Sequence, residues 1–241
     1  MFSGFDHFHD QSILAISPHP DDLALSVGSF LSGLVRVARV ECLTVFTRSV
    51  WAPYRDGLSE ADTTLWRREE EASFWRKLGI PGQNLDLEDA GVRGYDAATE
   101  LTADHQADPI VSRCRAEMQA VIQSRPWHWL LIPAGIGNHI DHLIAREAAR
   151  RARPPRSRLL MYEEMPYAAN LTETAIDETI HAVFPHARPF RHESEELIRE
   201  KNELCKAYPS QVADMELQAV AIHARRLGRG EVDVERLWMF P

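Results

Sequence analysis

The sequence predicts an α/β fold with a mostly parallel central sheet, and three observations carry that prediction. Short apolar runs recur at 13–17, 40–47 and 129–133, the first and third ending in Pro-containing loops; helical stretches separate them; and His and Asp cluster just beyond the first and third runs. At 241 residues and 44% hydrophobic content, the chain is long enough to be read as one large domain around a sizeable core.

Residues 13–17 are apolar, and Pro18 and Pro20 force the chain into a loop at the end of that run. Leu25, Val27, Leu31, Leu34 and Val35 then recur at helical spacing, giving a crossover helix over 24–38. A second buried strand over 40–47 completes a β-α-β unit, which is right-handed as a rule. The aromatic, Pro-containing loop 51–57 is expected at the ligand edge of the sheet. A helix is predicted over 62–78 with Asp62 as its cap and Gly79 as its stop, followed by a short strand at 85–87. Residues 89–108 lack apolar periodicity and read as a surface excursion compatible with disorder. A helix over 110–124, a strand over 129–133, a helix over 143–152 ended by Pro154 and Pro155, and a strand over 159–162 follow. The acidic-aromatic loop 163–167 is expected to form a third wall of the site. Helices at 198–208 and 214–226 lead to the apolar end 237–240.

Lys and Arg number 27 against 36 Asp and Glu, a formal net charge of -9, which repels phosphate backbones and anionic surfaces and argues against nucleic acid as a partner. Cys42, Cys114 and Cys205 form no CxxC pair, so neither a disulfide framework nor a thiolate zinc site is expected, and they read as thiols in a reducing compartment. The first residues lack the basic and apolar regions of a signal peptide, and nowhere do about eighteen apolar residues run together, so a cytoplasmic protein with no membrane span is expected. A homo-oligomer is left open.

Two clusters carry the chemistry: Ser17-Pro18-His19-Pro20-Asp21-Asp22 after the first strand, and Asn138-His139-Ile140-Asp141-His142 after the strand over 129–133. Taken singly, Asp21 or Asp22 would read as a helix cap, and either histidine as a satisfied core or surface residue. Taken together, both lie beyond strands of one parallel sheet, whose ligand edge brings such loops into one place. A hydrolytic zinc centre needs three protein ligands and one position open to water. His19, Asp22 and His142 satisfy that, leaving Asp21 to accept a proton from the water and His139 to stabilise the oxyanion and protonate the leaving amine. Asp141 is expected to hold the other nitrogen of His139 and raise its pKa.

With these residues in place the sequence resembles the PIG-L/LmbE-like deacetylases. The stretch 17–22 is similar to the family's first motif and Gly137 to His142 to its second. The resemblance implies a Rossmann-like three-layer sandwich and zinc-dependent removal of acetyl from an N-acetylglucosamine-type substrate. It implies the same ligands, His19, Asp22 and His142, with Asp21 as general base and His139 as acid; other divalent ions such as Fe2+ suit the same donors. Arg67 and Glu70 resemble the family's Arg-x-x-Glu helix, with Arg67 on the substrate side, the alternative being a solvated face of paired charges. The stretches 162–167 and 208–211 also look like those of a bacterial branch, and Glu163 is placed at the substrate. One departure stands out: many members carry Glu after the paired aspartates, where this chain has Leu23, as in an apolar-variant subgroup, so support for the site must come from elsewhere.

Three alternatives accompany this reading. One is an amidase acting on a non-sugar amide such as a thiol conjugate. Another is a two-His-one-carboxylate iron oxygenase, a class usually built on β-barrels. The last is a non-catalytic sugar- or nucleotide-binding module, for which the phosphate-cradling GxGxxG is missing after the first strand.

Overall fold

The computed structural model describes residues 4–241. Among the described residues, seven strands join one sheet in the order β3-β2-β1-β4-β5-β7-β6. β1 (Ser12–Ser17), β2 (Arg39–Arg48), β3 (Gly82–Glu88), β4 (Trp129–Pro133) and β5 (Arg158–Tyr162) pair in parallel, as the alternating apolar runs predict. β7 (Val234–Phe240) runs antiparallel to both β5 and the edge strand β6 (Arg188–Glu193). The chain winds outward from β1 through β2 to β3, then returns to β4 on the other side of β1. The loops leaving β1 and β4 therefore diverge at the topological switch point, where open α/β sheets hold their ligands.

Helices α1 (Asp22–Leu34), α2 (Glu60–Leu78), α6 (Leu197–Cys205) and α7 (Asp214–Leu227) pack together, and α3 (Ile110–Gln123) packs on α4 (Ile140–Ala152). β1 and β4 are almost wholly buried, which is why they read as continuous apolar runs rather than alternating ones. The buried face of α2 is Thr63, Thr64, Arg67, Glu70, Glu71, Phe74 and Leu78, so helical spacing carries three charged residues into the interior. Its cap is Ser59, whose hydroxyl accepts the Asp62 N–H, three residues earlier than predicted, and Gly79 ends it at φ 69°.

α1 is interrupted at Val27 (φ -138°, ψ 29°), and the backbone groups around the break find partners in other elements. Lys201 Nζ donates to the Ser26 carbonyl at 3.1 Å, and the Glu235 carboxylate accepts the N–H groups of Ser29 and Phe30 at 3.1 and 2.7 Å. Leu23 is buried in the core. The excursion over 89–108 is folded into turns and one short 3-10 segment at Thr99–Leu101, and its residues reach the site. Sequence reading passed over α5 (Glu173–Val183) and β6. β6 is an exposed, charged edge strand whose apolar signal is too weak to register. Among the described residues, no helix is long and apolar enough to cross a membrane.

Candidate active site

The loop after β1 holds the first cluster in a strained form. Asp21 has φ 95°, a region costly for any residue with a Cβ, and it occupies the N-cap of α1 without making a side-chain capping bond. The cap role that Asp21 would have alone is therefore not what its carboxylate does. It lies instead 3.6 Å from Arg67 Nη2. Asp22, on the first turn, accepts the His19 backbone N–H at 2.8 Å, which folds the loop back on itself. The second cluster opens α4, where Asn138 at φ 61° and Gly137 at φ 88° turn the chain and His139 Nδ1 accepts the Asp141 N–H.

These turns bring His19, Asp22 and His142 together, with one ligand atom from each within 4.8 Å of the others. His19 Nδ1 and His142 Nε2 both lie 3.4 Å from Asp22 Oδ2. Their remaining nitrogens are engaged from behind: His19 Nε2 lies 2.9 Å from Asp141 Oδ2, and His142 Nδ1 lies 3.4 Å from Glu164 Oε1. Carboxylates behind the rings fix their orientation and make the facing nitrogens better donors to a cation. His19, His139 and Asp141 also cluster within 4.8 Å. There, however, both Asp141 oxygens are already occupied by Arg93, His19 and the Ala90 N–H, so the His19–Asp22–His142 set is the one with donors to spare.

The electrostatics fit a cation at this place. Burial acts to lower the His19 pKa, but the bonds to Asp141 and Asp22 outweigh it and hold the group at about 10. Burial acts to raise Asp22, and His142 and His19 overcome it, bringing the carboxyl down to about 2. The pocket thus binds a proton tightly on His19, and a divalent ion satisfies the same demand for positive charge by displacing that proton. Burial, with the Asp22 charge adding to it and Arg67 opposing, raises Asp21 to about 8. Burial lowers the pKa of His139, with Glu100 as the main opposing influence, its Oε2 3.5 Å from His139 Nε2.

Two expectations are corrected. The Asp141 side chain lies against His19, not His139, because its register on α4 turns it toward Arg93 Nη2 at 2.7 Å and His19 Nε2 at 2.9 Å. Glu163 turns away from the site and is buried against Arg236, Trp238 and His223. Its neighbour Glu164 faces the cluster and also accepts the N–H groups of Gly135 and Ile136 at 2.6 and 3.0 Å. Successive residues leaving a strand project to opposite sides, so an error of one position exchanges core for site. Arg67 is not on a solvated face: it is buried and donates to Ser49 Oγ at 2.7 Å. Glu70, also buried, binds the backbone N–H and hydroxyl of Ser210.

Sequence reasoning missed Glu164, Arg93 and Glu100. The last two come from the stretch over 89–108, whose polar composition signalled only a loop. The support that Leu23 cannot give comes from Asp141 and Glu164. Tyr167 packs its ring 5.7 Å from that of His142 and covers Gly137. A Cβ at Gly137 would lie 2.5 Å from Tyr167 Cγ, at a backbone angle that already disfavours side chains. Gly137→Ala is therefore expected to cost about 2 kcal/mol or more in urea denaturation.

This arrangement defines a class: an α/β fold with a two-histidine, one-carboxylate cluster that could hold a cation at the sheet's switch point, and a further acid and histidine beside it. The parallel sheet removes the β-barrel on which the iron-oxygenase alternative depends. Residues 14–153 match the family model for PIG-L, GlcNAc-PI de-N-acetylase, and the chain belongs to that family of N-acetyl hydrolases. It is 35% identical over 220 residues to 2'-N-acetylparomamine deacetylase of Streptomyces fradiae, covering 88% of this chain and 78% of that one. A solved antimicrobial pseudoaglycone deacetylase is 27% identical with a TM-score of 0.67, covering 94% of this chain and 95% of that one. The deacetylase-teicoplanin complex shares the fold at 24% identity and a TM-score of 0.73, covering 95% and 97% of the respective chains.

Proposed function

We propose that this protein is a zinc-dependent de-N-acetylase that releases acetate from the 2-amino group of a sugar carrying a further ring, with His19, Asp22 and His142 as the metal ligands. The observation that carries the reading is the convergence of free nitrogens from His19 and His142 on Asp22 Oδ2, with Asp21 beside them. The Streptomyces fradiae relative, whose name specifies an N-acetylated amino-sugar glycoside, supports the substrate class. The buried free thiols Cys42, Cys114 and Cys205 agree with a cytoplasmic enzyme.

His19, Asp22 and His142 would hold a divalent ion, which would supply polarisation of the acyl carbonyl and a water acidic near neutral pH. Asp21 takes the proton from the attacking water, and Arg67 keeps its carboxylate aimed there. A C–O bond forms as the carbonyl carbon becomes tetrahedral, and His139 stabilises the oxygen's charge. The C–N bond then breaks, His139 protonates the departing amine, and acetate and a free amino sugar result. Glu100, facing His139 Nε2, favours the protonated ring against the effect of burial. Asp141 and Glu164 act through the two ligand histidines.

The test is acetate release from 2'-N-acetylparomamine and from N-acetylglucosamine by zinc-loaded and chelator-treated protein. Chelation is expected to reduce turnover at least about 100-fold, with one equivalent of zinc restoring it. Equal activity in the metal-stripped protein would sink the metal assignment, and acetate from neither substrate would sink the amino-sugar reading.

A further inference from the structure

Large hydrophobic side chains are exposed in an uneven way. Of seven such residues among the described residues, four, Val50, Trp51, Tyr54 and Leu58, fall in the single loop between β2 and α2. Trp51 is 60% exposed, although burying an indole is among the larger gains available to a folding chain. A concentration of exposed aromatic surface beside a site marks a binding surface more often than a packing fault.

The loop is also fixed. Tyr54 N–H donates to the Ser210 carbonyl at 3.2 Å, Gln211 Nε2 donates to the Trp51 carbonyl at 3.0 Å, and Tyr54 Oη donates to the Glu216 carboxylate at 2.9 Å. These three contacts to the segment around α7 fix the loop backbone at Trp51 and Tyr54 and the Tyr54 ring before anything binds, which lowers the ordering cost of an encounter.

Hydrogen bonds and ion pairs tie the loop to the candidate active site. Ser49 Oγ accepts from Arg67 Nη1 at 2.7 Å and from the Trp51 backbone N–H at 3.0 Å, so one hydroxyl ties the arginine beside Asp21 to the backbone that carries the exposed indole. Val50 lies against Gly91, where an added Cβ would meet its Cγ2 at 3.1 Å, and Asp89 and Ala90 of that same turn reach Arg67 and Asp141.

We infer that Trp51, with Tyr54 beside it, forms a stacking subsite for the second ring of the substrate, a polyhydroxylated sugar or cyclitol attached to the N-acetylated sugar. The inference rests on the deacetylase reading above and adds a specificity element to it. Such a ring is amphipathic: its axial C–H groups form an apolar face suited to an indole, and its hydroxyl or amino groups point outward to polar partners. The Glu216 carboxylate next to Tyr54 supplies such a partner, and a protonated amine is the group it favours. That carboxylate already accepts from Tyr54 Oη and the Ala213 N–H, and its negative charge would repel a phosphorylated occupant.

The experiment compares Trp51→Ala and Trp51→Phe with the unaltered, zinc-loaded protein on the two-ring and one-ring substrates of the assay above. In Trp51→Ala, the ratio of kcat/KM for two rings over one is expected to fall about tenfold, chiefly through KM, with Trp51→Phe recovering most of it. Saturation-transfer NMR on the deacetylated two-ring product gives a readout independent of turnover: second-ring protons are saturated by the unaltered protein and not by Trp51→Ala. An unchanged ratio, or no second-ring saturation with the unaltered protein, overturns the subsite. Loss of a dimer in Trp51→Ala by light scattering, with the ratio unmoved, assigns the patch to a second copy and also overturns it. Absence of acetate from both substrates, with second-ring saturation intact, would strike the deacetylase reading and leave the platform standing.

Discussion

Asp21→Asn is expected to abolish nearly all hydrolysis and, in metal-free protein at alkaline pH, to fold more stably than the unaltered chain. On the mechanism proposed above, in which Asp21 takes the proton from water, its loss should cost about 100-fold to 10,000-fold in kcat. Asn keeps the size of the side chain and tolerates the φ of 95° better than most residues, so the loop need not rearrange. The stability change has the opposite sign because Asp21 is raised by burial from an ordinary 3.8 to about 8 in the folded protein. Between those values the folded state retains a proton that the unfolded chain has released, so stability falls as pH rises through the window. Asn does not ionise and escapes that loss. Its advantage should grow from about pH 4 and be complete above about pH 8. Urea denaturation of both proteins at pH 5 and pH 8.5 in chelator measures it. An advantage that is the same at both pH values would show that the Asp21 carboxyl is not held protonated by its surroundings. Metal should shrink the difference, since a nearby dication favours the ionised carboxylate.

Asp141→Asn is expected to weaken metal binding about 10-fold to 100-fold, although Asp141 is assigned no bond to the metal. Its carboxylate lies at hydrogen-bonding distance from His19 Nε2 and pairs with Arg93, and it is completely buried. The His19 bond and the Arg93 charge hold its pKa well below the usual carboxylate range despite burial. Asn can accept one bond but leaves the Arg93 guanidinium with less compensating charge, a loss of about 3 kcal/mol in global stability. Calorimetric titration with zinc, alongside denaturation, separates the two effects. If zinc bound the variant with unchanged affinity while stability fell, Asp141 would be a partner of Arg93 alone and not the residue that orients His19.

Much of this protein was legible in its sequence because its signals are local. Apolar runs ended by proline gave β1 and β4 nearly to the residue, and the parallel-sheet rule was enough to bring two distant His/Asp clusters together at one edge. What was not legible depends on direction and distance. Glu163 and Glu164 are chemically identical neighbours, and only the path of the chain after β5 decides that the second faces His142. Sequence spacing pairs Asp141 with His139 two residues before it, whereas the fold delivers it to His19 across the sheet edge, at a separation of 122 residues. Arg93 and Glu100 carried no signal at all, since a polar stretch without periodicity has the composition of any surface loop.

The sequence by itself determined the fold class, the two strand-end clusters and the family, because residue type, spacing and turn chemistry are properties of short segments. The tertiary structure decided which carboxylate orients which histidine, brought Arg93 and Glu100 to the site and left Trp51 exposed beside it. Those outcomes depend on the register of helices and loops packed from distant parts of the chain, and a change of one residue in that register points a side chain to a different partner.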